Sequence, residues 1–327
     1  MQEPCQLGAC YNWRMILVTG GTGFIGRALV RHLVESGYAV RTLIRPSRQS
    51  PRLPQGISME VAVAGFDDAR SLRAAMLDVD VIYHLAGDER RGAQANLLGV
   101  DIQGTRAILD AAVDAGVDRF FMLSHLGANR ASAYPVLKAK AIAEEHIRRS
   151  GLDYTILRTA AVYGPGDNFT TGLAQLVRAI PFVFPLPHGG ETLLQPLWIE
   201  DLVTCLTWAL GDDGTRGQTY EIGGPEFLSL REIVLDVMHT TRTRRKPVSV
   251  HPALLRGLTV VLEYFLPGLP LSIYWFDYLA ANRTCSLDTV PRVFNLMPSR
   301  FSQRLNYLEG QPWGRRFWRS IFGRRKQ

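Results

Sequence analysis

Cysteine is scarce in this sequence and is not arranged for disulfides or metal. Only four cysteines occur among 327 residues, and none lies in a C-x-x-C pair: Cys5, Cys10, Cys205 and Cys285. Disulfide-rich secreted domains and zinc domains have denser or paired cysteines. We therefore expect a protein of a reducing, cytoplasmic compartment, without a metal site.

Long apolar runs are missing as well. Residues 1–14 contain no apolar segment of signal-peptide length, and strand-like sequence begins directly after Met15. We expect residues 1–14 to be a disordered leader, or Met15 to be the natural start. Residues 264–276 are uncharged, but Pro267 and Pro270 interrupt them, and they fall short of the ~20 residues that span a bilayer. The sequence therefore predicts no transmembrane helix.

Acidic residues are absent from the C-terminal tail, residues 313–327, where basic residues concentrate. The formal net charge is +7, yet outside the tail 31 basic residues stand against 30 acidic ones. The chain outside the tail is therefore nearly neutral, which argues against a general nucleic-acid-binding surface. We therefore expect no nucleic-acid partner.

Aromatic residues are interleaved with the arginines of this tail. Trp313, Phe317 and Ile321 recur every four residues, as do Trp318 and Phe322. The pattern is typical of a helix that lies on an anionic membrane surface. We expect a cytoplasmic protein that contacts the inner face of the membrane, or a membrane complex, through the tail. A disordered basic tail and a clamp on an acidic partner are the alternatives.

A strand, a glycine-rich turn and a helix are predicted near the N-terminus, from residue 16 onward. Three glycines have separate roles in this pattern. The first, Gly20, allows a sharp turn; the second, Gly23, allows the backbone to approach a pyrophosphate; and the third, Gly26, allows the helix to pack tightly on the strand. The N–H groups at the helix start would hold the anion. The alternative is an ordinary strand-to-helix turn. The candidate dinucleotide-binding residues are Gly20, Thr22, Gly23, Phe24, Ile25 and Gly26.

The second predicted strand, residues 39–44, is followed by arginines rather than by an acidic residue. Folds that prefer NAD usually place an acidic side chain here for the ribose hydroxyls, whereas an arginine accommodates the 2′-phosphate of NADP. Arg45 and Arg48 therefore predict NADP(H) as the preferred cofactor, with NAD(H) as the second choice. If both are only solvated loop charges, they indicate no preference.

Strands and helices alternate through the first half of the chain. Further strands are predicted at residues 59–64, 79–85 and 119–123, and Asp68 is placed to cap a helix between two of them. This alternation predicts an α/β fold with a Rossmann-type doubly wound parallel sheet.

The end of the fourth strand carries a histidine followed by small residues. His84 is expected to be packed and hydrogen-bonded rather than catalytic, because its strand is apolar. Leu85, Ala86 and Gly87 would let the chain pass close beside the cofactor, so we count them as cofactor-binding candidates.

The length of the chain predicts about two lobes. Ser229 and Glu232 have the spacing of a helix capping box in the second half. We predict a leader (1–14), a dinucleotide-binding core (15–165), a smaller substrate lobe interleaved with the core (166–250), and a helical extension ending in the basic-aromatic tail (251–327).

Four motifs follow one another in order, at residues 19–26, 84–87, 104–105 and 157–167. As a set they resemble the extended and atypical short-chain dehydrogenase/reductase superfamily, which includes NAD-dependent epimerases and dehydratases. Three further segments are more narrowly similar to the group containing the NADPH-binding accessory subunit of respiratory complex I and its bacterial relatives: residues 167–169, 180–185 and 195–201.

This resemblance implies an NAD(P)(H)-binding oxidoreductase or epimerase/dehydratase-like enzyme. The alternative is a non-catalytic, cofactor-stabilised accessory or assembly factor of a membrane electron-transfer complex. Residues 164–198 carry few ionisable groups and many large apolar ones, which favours an apolar small-molecule substrate. The same residues are equally typical of the core of a small lobe.

A catalytic serine, tyrosine and lysine are also implied by the resemblance. Ser124 follows the fifth strand, and Tyr134 and Lys138 have the Y-x-x-x-K spacing. A tyrosine phenol has a pKa of ~10, too high for proton transfer near neutrality unless a nearby ammonium group favours the phenolate. The serine hydroxyl would hold the substrate oxygen.

A second alignment selects a different lysine. In the family the lysine is commonly followed four residues later by a glutamate; Glu144 then selects Lys140, which would bind the cofactor ribose. Val136 stands at the tyrosine position of this alignment. Because Lys138 and Lys140 point ~200° apart on a helix, only one of them can face the cofactor.

Overall fold

The computed structural model describes residues 15–47, 50–51, 53–266 and 268–322. Its strands are β1 (Ile16–Thr19), β2 (Val40–Ile44), β3 (Glu60–Val63), β4 (Val81–His84), β5 (Arg119–His125), β6 (Asp153–Thr159), β7 (Val162–Tyr163), β8 (Val183–Pro187), β9 (Leu193–Leu194), β10 (Leu197–Trp198), β11 (Gln218–Ile222), β12 (Leu228–Ser229) and β13 (Lys246–Val250). Its α-helices are α1 (Phe24–Glu35), α2 (Ala69–Ala75), α3 (Thr105–Ala115), α4 (Pro135–Arg149), α5 (Thr170–Ala179), α6 (Ile199–Leu210), α7 (Leu230–Thr240), α8 (Pro252–Phe265), α9 (Ile273–Tyr278), α10 (Thr289–Phe294) and α11 (Trp313–Phe322).

The main sheet of the described chain has seven parallel strands in the order β11-β6-β5-β4-β1-β2-β3. Thr19 at the end of β1 lies between Leu43 of β2 and His84 of β4. The chain leaves β1 toward β2 and β3, and later continues on the other side through β4, β5 and β6. The carboxyl ends of β1 and β4 therefore flank a topological switch point, where open α/β sheets bind ligands. The predicted Rossmann-type fold is confirmed.

The central strands are buried on both faces, which explains their continuous apolar sequence. Ile16 and Val18 pack with Leu29 of α1 on one face, whereas Leu17 packs with Leu109 of α3 on the other. The bounds of these strands differ from the predicted ones by at most two residues.

Both predicted helix caps are present. The Asp68 carboxylate accepts hydrogen bonds from the backbone N–H groups of Arg70 and Ser71 at the start of α2. Ser229 and Glu232 form a complete capping box at the start of α7. These caps were predictable because each involves residues only a few positions apart.

A second apolar cluster is built from later parts of the chain, with contributions from α5, α7, α9 and α11. Phe169, Phe184 and Leu186 are buried in this cluster. Packing within the protein therefore accounts for these apolar residues of the 164–198 segment, as the second interpretation of that segment predicts. The domain limits at residues 14, 165 and 250 stay a prediction.

The C-terminal tail differs from the sequence-based expectation. Trp313, Phe317 and Ile321 of α11 are buried in the second cluster, whereas Trp318 and Phe322 are more than half exposed. The first row of the amphipathic pattern is therefore used for packing within the protein, because α11 lies against α5. Residues 323–327 lie outside the described residues. Among the described residues, no helix combines the length and apolar character needed to cross a bilayer.

Candidate functional site

The glycine-rich turn has the geometry of a dinucleotide cradle. Gly20 has a φ of +73°, and a Cβ there would lie 2.8 Å from the backbone carbonyl of Leu85. A Cβ at Gly26 would overlap the carbonyl oxygen of Gly20. Gly23 then caps α1, whose first residues, including Phe24 and Ile25, present the helix N-terminus at the switch point. The first N–H groups of a helix have no intrahelical acceptor and can bind phosphate oxygens.

The chain after β4 passes directly beside this turn. The N–H of Ala86 donates to the Thr19 hydroxyl at 3.4 Å, which holds the two carboxyl ends together. His84 is hydrogen-bonded on both ring nitrogens, to Thr19 at 2.9 Å and to Thr105 at 3.0 Å. Burial, assisted by Lys140, lowers the pKa of His84 to about 3. His84 is thus a neutral packing residue, as the sequence predicts.

A buried ionic cluster lies next to Gly87. Lys140 Nζ is 2.8 Å from Asp101 Oδ1 and 3.8 Å from Glu89 Oε2, and His125 Nε2 is 3.9 Å from Glu89 Oε1. A Cβ at Gly87 would lie 2.9 Å from Lys140 Nζ. Gly87 therefore lets the backbone that follows β4 run directly over the lysine.

The charges of this cluster are set by its members. Burial disfavours the ammonium of Lys140, but Asp101 and Glu89 outweigh it and raise its pKa. Burial would raise the pKa of Glu89, yet Lys140 and then His125 lower it to about 2. Burial lowers the pKa of His125 to about 4, and burial raises that of Asp101. At neutral pH the cluster therefore contains a lysine cation, a glutamate anion and a neutral histidine.

The two alignments select different lysines, and these lysines differ in burial. Lys140 is 5% exposed, whereas Lys138 lies on the exposed side of α4. The structure brings Lys140, not Lys138, to the cluster beside Gly87. Tyr134 is the residue before Pro135, where α4 begins, so it stands at the N-cap of the helix that carries Lys138.

Ser124 is hydrogen-bonded to a carboxylate outside the Lys140–Asp101–Glu89 group. Its buried hydroxyl donates to Glu144 Oε1 at 2.7 Å. Glu144 also accepts hydrogen bonds from Arg158, at 2.8 and 3.0 Å, and from Arg148 at 2.8 Å. The hydroxyl of Ser124 therefore belongs to a buried carboxylate–arginine network.

Two tyrosines of α9 lie near Val136, the residue that stands at the tyrosine position of the second alignment. Val136 and Tyr134 line a small cavity together with Tyr274 and Tyr278 of α9. The ring centre of His125 is 5.9 Å from that of Tyr274 and 6.5 Å from that of Tyr278. Burial, then Tyr278 and Glu89, raise the pKa of Tyr274, so its phenol is protonated at neutral pH.

The arginines predicted to select the cofactor lie after β2. Arg45 is exposed directly after this strand, on the same sheet edge as the glycine turn. Arg48 lies outside the described residues. The position of Arg45 is compatible with a contact to the 2′-phosphate of a bound nucleotide.

Sequence reasoning missed four residues of this site, namely Glu89, Asp101, His125 and Tyr274. His125 follows Ser124 directly, and Asp101 precedes the Gly104-Thr105 motif in an otherwise apolar segment. An isolated acidic residue in an apolar run was the one available signal for a buried ion pair.

The protein has a parallel sheet, a glycine turn at the switch point of that sheet, and a buried lysine nearby. These features define a dinucleotide-binding protein of the short-chain dehydrogenase/reductase class. Residues 20–178 match a family model described as NAD(P)H-binding. The chain is 33% identical over 317 residues to NADH dehydrogenase [ubiquinone] 1 alpha subcomplex subunit 9, mitochondrial, of Arabidopsis thaliana, which covers 90% of this chain and 78% of that protein. The chain therefore belongs to the NAD(P)H-binding family that contains this subunit.

Two further similarities concern a curated relative and a solved structure. The chain is 33% identical over 202 residues to the ceramide reductase of Caulobacter vibrioides, covering 60% of this chain and 62% of that protein. A short-chain dehydrogenase/reductase superfamily protein from Agrobacterium tumefaciens with bound NAD has the same fold, with a TM-score of 0.65 at 20% identity over 95% of this chain and all of that one.

Proposed function

We propose that this protein is an NADP(H)-dependent oxidoreductase, or a related epimerase-like enzyme, that acts on an apolar small molecule on the cytoplasmic side of a membrane. The observation that carries the proposal is the buried Lys140–Asp101–Glu89 cluster directly below Gly87. A cation at this depth beside the glycine turn is suited to hold the sugar and orient the nicotinamide ring of a bound dinucleotide. Once bound, the nicotinamide would supply or accept the hydride.

The residues around the cluster are suited to hold a proton. Lys140 stays charged and can hydrogen-bond ribose hydroxyls, while Asp101 and Glu89 fix its position. His125 Nε2 faces the Glu89 oxygen that is not paired with Lys140, and the ring of His125 lies beside that of Tyr274. The protonated phenol of Tyr274 can donate a hydrogen bond to a substrate oxygen as negative charge develops there, and this role does not require the phenolate.

Cofactor preference is tested by thermal unfolding. NADPH is expected to raise the melting temperature of the wild-type protein more than NADH does, because Arg45 can pair with the 2′-phosphate. In Arg45→Asp, the NADPH shift should be lost and an NADH shift retained or gained. The matched control is Arg106→Asp, which removes an exposed arginine on α3 and should change neither shift. Equal shifts with both nucleotides in the wild type would contradict the NADP(H) preference.

The role of Tyr274 is tested by turnover of NADPH with long-chain ketones and quinones. Tyr274→Phe is expected to lower kcat by about 100-fold or more, the range for loss of one hydrogen-bond donor to a developing oxyanion, with the NADPH-induced melting shift unchanged. Tyr134→Phe is the matched variant on the same cavity. A large loss of kcat in Tyr134→Phe alone would instead assign the catalytic role to Tyr134, as the sequence predicts.

The second candidate function is a cofactor-stabilised accessory or assembly factor. Val136 at the tyrosine position and the engagement of Ser124 by Glu144 favour it, since both depart from the implied catalytic set. The similarity to a complex I subunit supports it too. NADPH binding without turnover of any carbonyl or quinone substrate would favour this function over the enzyme.

A further inference from the structure

Helix α8 carries a stripe of apolar side chains that the rest of the described chain leaves uncovered. Leu254, Leu258, Val261 and Phe265 recur at spacings of four, three and four, which places them on one side of the helix, and Tyr264 adjoins them. These five side chains are between 53% and 76% exposed. The surfaces of soluble monomers rarely group so many large apolar side chains unless the patch contacts another apolar phase or a partner.

The opposite side of α8 is attached to the candidate site. Glu263 accepts a hydrogen bond from the N–H of Ala93 at 3.2 Å and another from the N–H of Ile273 at 3.2 Å. Ala93 belongs to the 3₁₀ segment Glu89–Gln94, which begins with Glu89 of the ionic cluster. Ile273 begins α9, which carries Tyr274. A single buried carboxylate therefore links the apolar helix to two elements of the site.

The loop after α8 lies against the basic helix α11. A Cβ at Gly268 would overlap the carbonyl oxygen of Ser320, so the two backbones touch at this point. Trp318 and Phe322 on α11 are exposed and stacked, with ring centres 5.6 Å apart. Arg315, Arg316 and Arg319 occur between the aromatic residues of this helix, and Arg324, Arg325 and Lys326 follow in the sequence.

We propose that α8 and α11 together form a membrane-docking surface that inserts shallowly into an anionic lipid leaflet. We define this α8–α11 surface by Leu254, Leu258, Val261, Tyr264, Phe265, Trp318 and Phe322, with the arginines of α11 at its border. The apolar side chains of this surface enter the boundary between lipid headgroups and acyl chains, and its cations bind the headgroups.

The charge pattern selects this occupant over a second copy of the chain. Two copies joined through the same surface would bring equal clusters of cations together, which costs free energy, whereas an anionic leaflet neutralises them. If the proposed enzymatic function holds, docking also brings α9 and its tyrosines close to the lipid, so that an apolar substrate enters the site from the membrane. This last consequence rests on the proposed function, but the docking does not.

The test is sedimentation of the full chain with vesicles of phosphatidylcholine alone or mixed with phosphatidylglycerol. The wild type is expected to bind the mixed vesicles and to bind neutral ones weakly. Leu258→Ser with Val261→Ser should weaken binding at least about 10-fold, because two side chains lose their apolar burial. Arg315→Gln with Arg319→Gln should weaken binding to the anionic vesicles by about 30-fold, at about 1 kcal/mol for each charge.

The matched control is Val61→Ser with Val63→Ser, which alters two exposed apolar side chains on the edge strand β3 and should leave binding unchanged. Melting with NADPH verifies that each variant is folded. An equal loss in the control, or binding that ignores lipid charge, would overturn the proposal. A wild-type dimer that the α8 variant loses, without vesicle binding, would assign the surface to a second copy instead. NADPH turnover, measured separately, reports on the enzymatic function alone.

Discussion

Replacing Lys140 with methionine is expected to lower the free energy of unfolding by about 3–5 kcal/mol at neutral pH, because Asp101 and Glu89 are then buried without their cation. Methionine replaces the lysine side chain up to its last carbon and lacks only the ammonium group, so the loss reflects mainly the missing charge. Urea unfolding at pH 7 measures the change. The nucleotide-induced melting shift should be lost in the same variant, because Lys140 is proposed to hold the ribose.

The exposed neighbour Lys138 provides the matched control. Lys138→Met is expected to change stability by no more than about 0.5 kcal/mol, as exposed substitutions generally do. Equal losses in the two variants would mean that burial does not distinguish the lysines. Loss of nucleotide binding in Lys138→Met alone would support the alignment through Tyr134 and Lys138.

Acidic pH should bring the Lys140→Met variant closer to the wild type in stability. In the wild type, Lys140 holds the pKa of Glu89 at about 2, below its unfolded value. That contribution to stability is complete above the unfolded pKa of ~4.3 and is lost as the pH falls through the folded one. Without Lys140, burial raises the folded pKa values of Glu89 and Asp101, so stability is lost as the pH rises through them. Urea unfolding of the wild type and the variant at pH 7 and pH 4 checks this prediction. A difference in unfolding free energy between the two proteins that is larger at pH 4 than at pH 7 would contradict it.

The second large effect is expected for Gly26→Ala. A methyl group there would overlap the Gly20 carbonyl oxygen and lie 2.7 Å from the Gly21 Cα, and neither backbone atom can move without displacing α1 from the turn. We expect a loss of about 1–3 kcal/mol of stability, the range of overpacking, and loss of the NADPH-induced melting shift. Denaturant unfolding and nucleotide titration measure the two effects.

Gly257 offers a glycine-to-alanine control inside a helix. A Cβ at Gly257 of α8 meets no atom within 4 Å. Gly257→Ala should therefore stabilise the protein by up to about 1 kcal/mol through helix propensity, and leave nucleotide binding intact. If Gly26→Ala bound NADPH as well as this control does, the turn would not be the pyrophosphate site.

The predictions that the structure confirms rest on short-range signals. The strand and helix around Gly20 to Gly26, the Asp68 cap and the capping box of Ser229 each involve residues within a few positions of one another. Alternating strands and helices also predict a doubly wound parallel sheet, because right-handed crossovers leave few other arrangements. The NAD(P)H-binding class follows from these elements.

The ionic cluster was not predictable in this way. Glu89, Asp101 and His125 come from three segments that meet only at the carboxyl edge of the sheet, and Tyr274 comes from α9, far along the chain. Helical periodicity limited the cofactor-facing lysine to one of two residues, Lys138 or Lys140. Lys140 is the one that is buried against Asp101, and burial depends on long-range packing. The cofactor contact of either lysine stays a prediction.

The amphipathic segments show the same division. The sequence alone established that residues 313–322 have apolar rows among arginines, because periodicity is a property of neighbouring positions. It did not establish which row meets the protein and which meets solvent. Packing of α11 against α5 buries the row of Phe317, while the apolar side of α8 is left exposed because its polar side, through Glu263, binds the site. A hydrophobic pattern specifies that a face must be covered; only the arrangement of distant elements specifies what covers it.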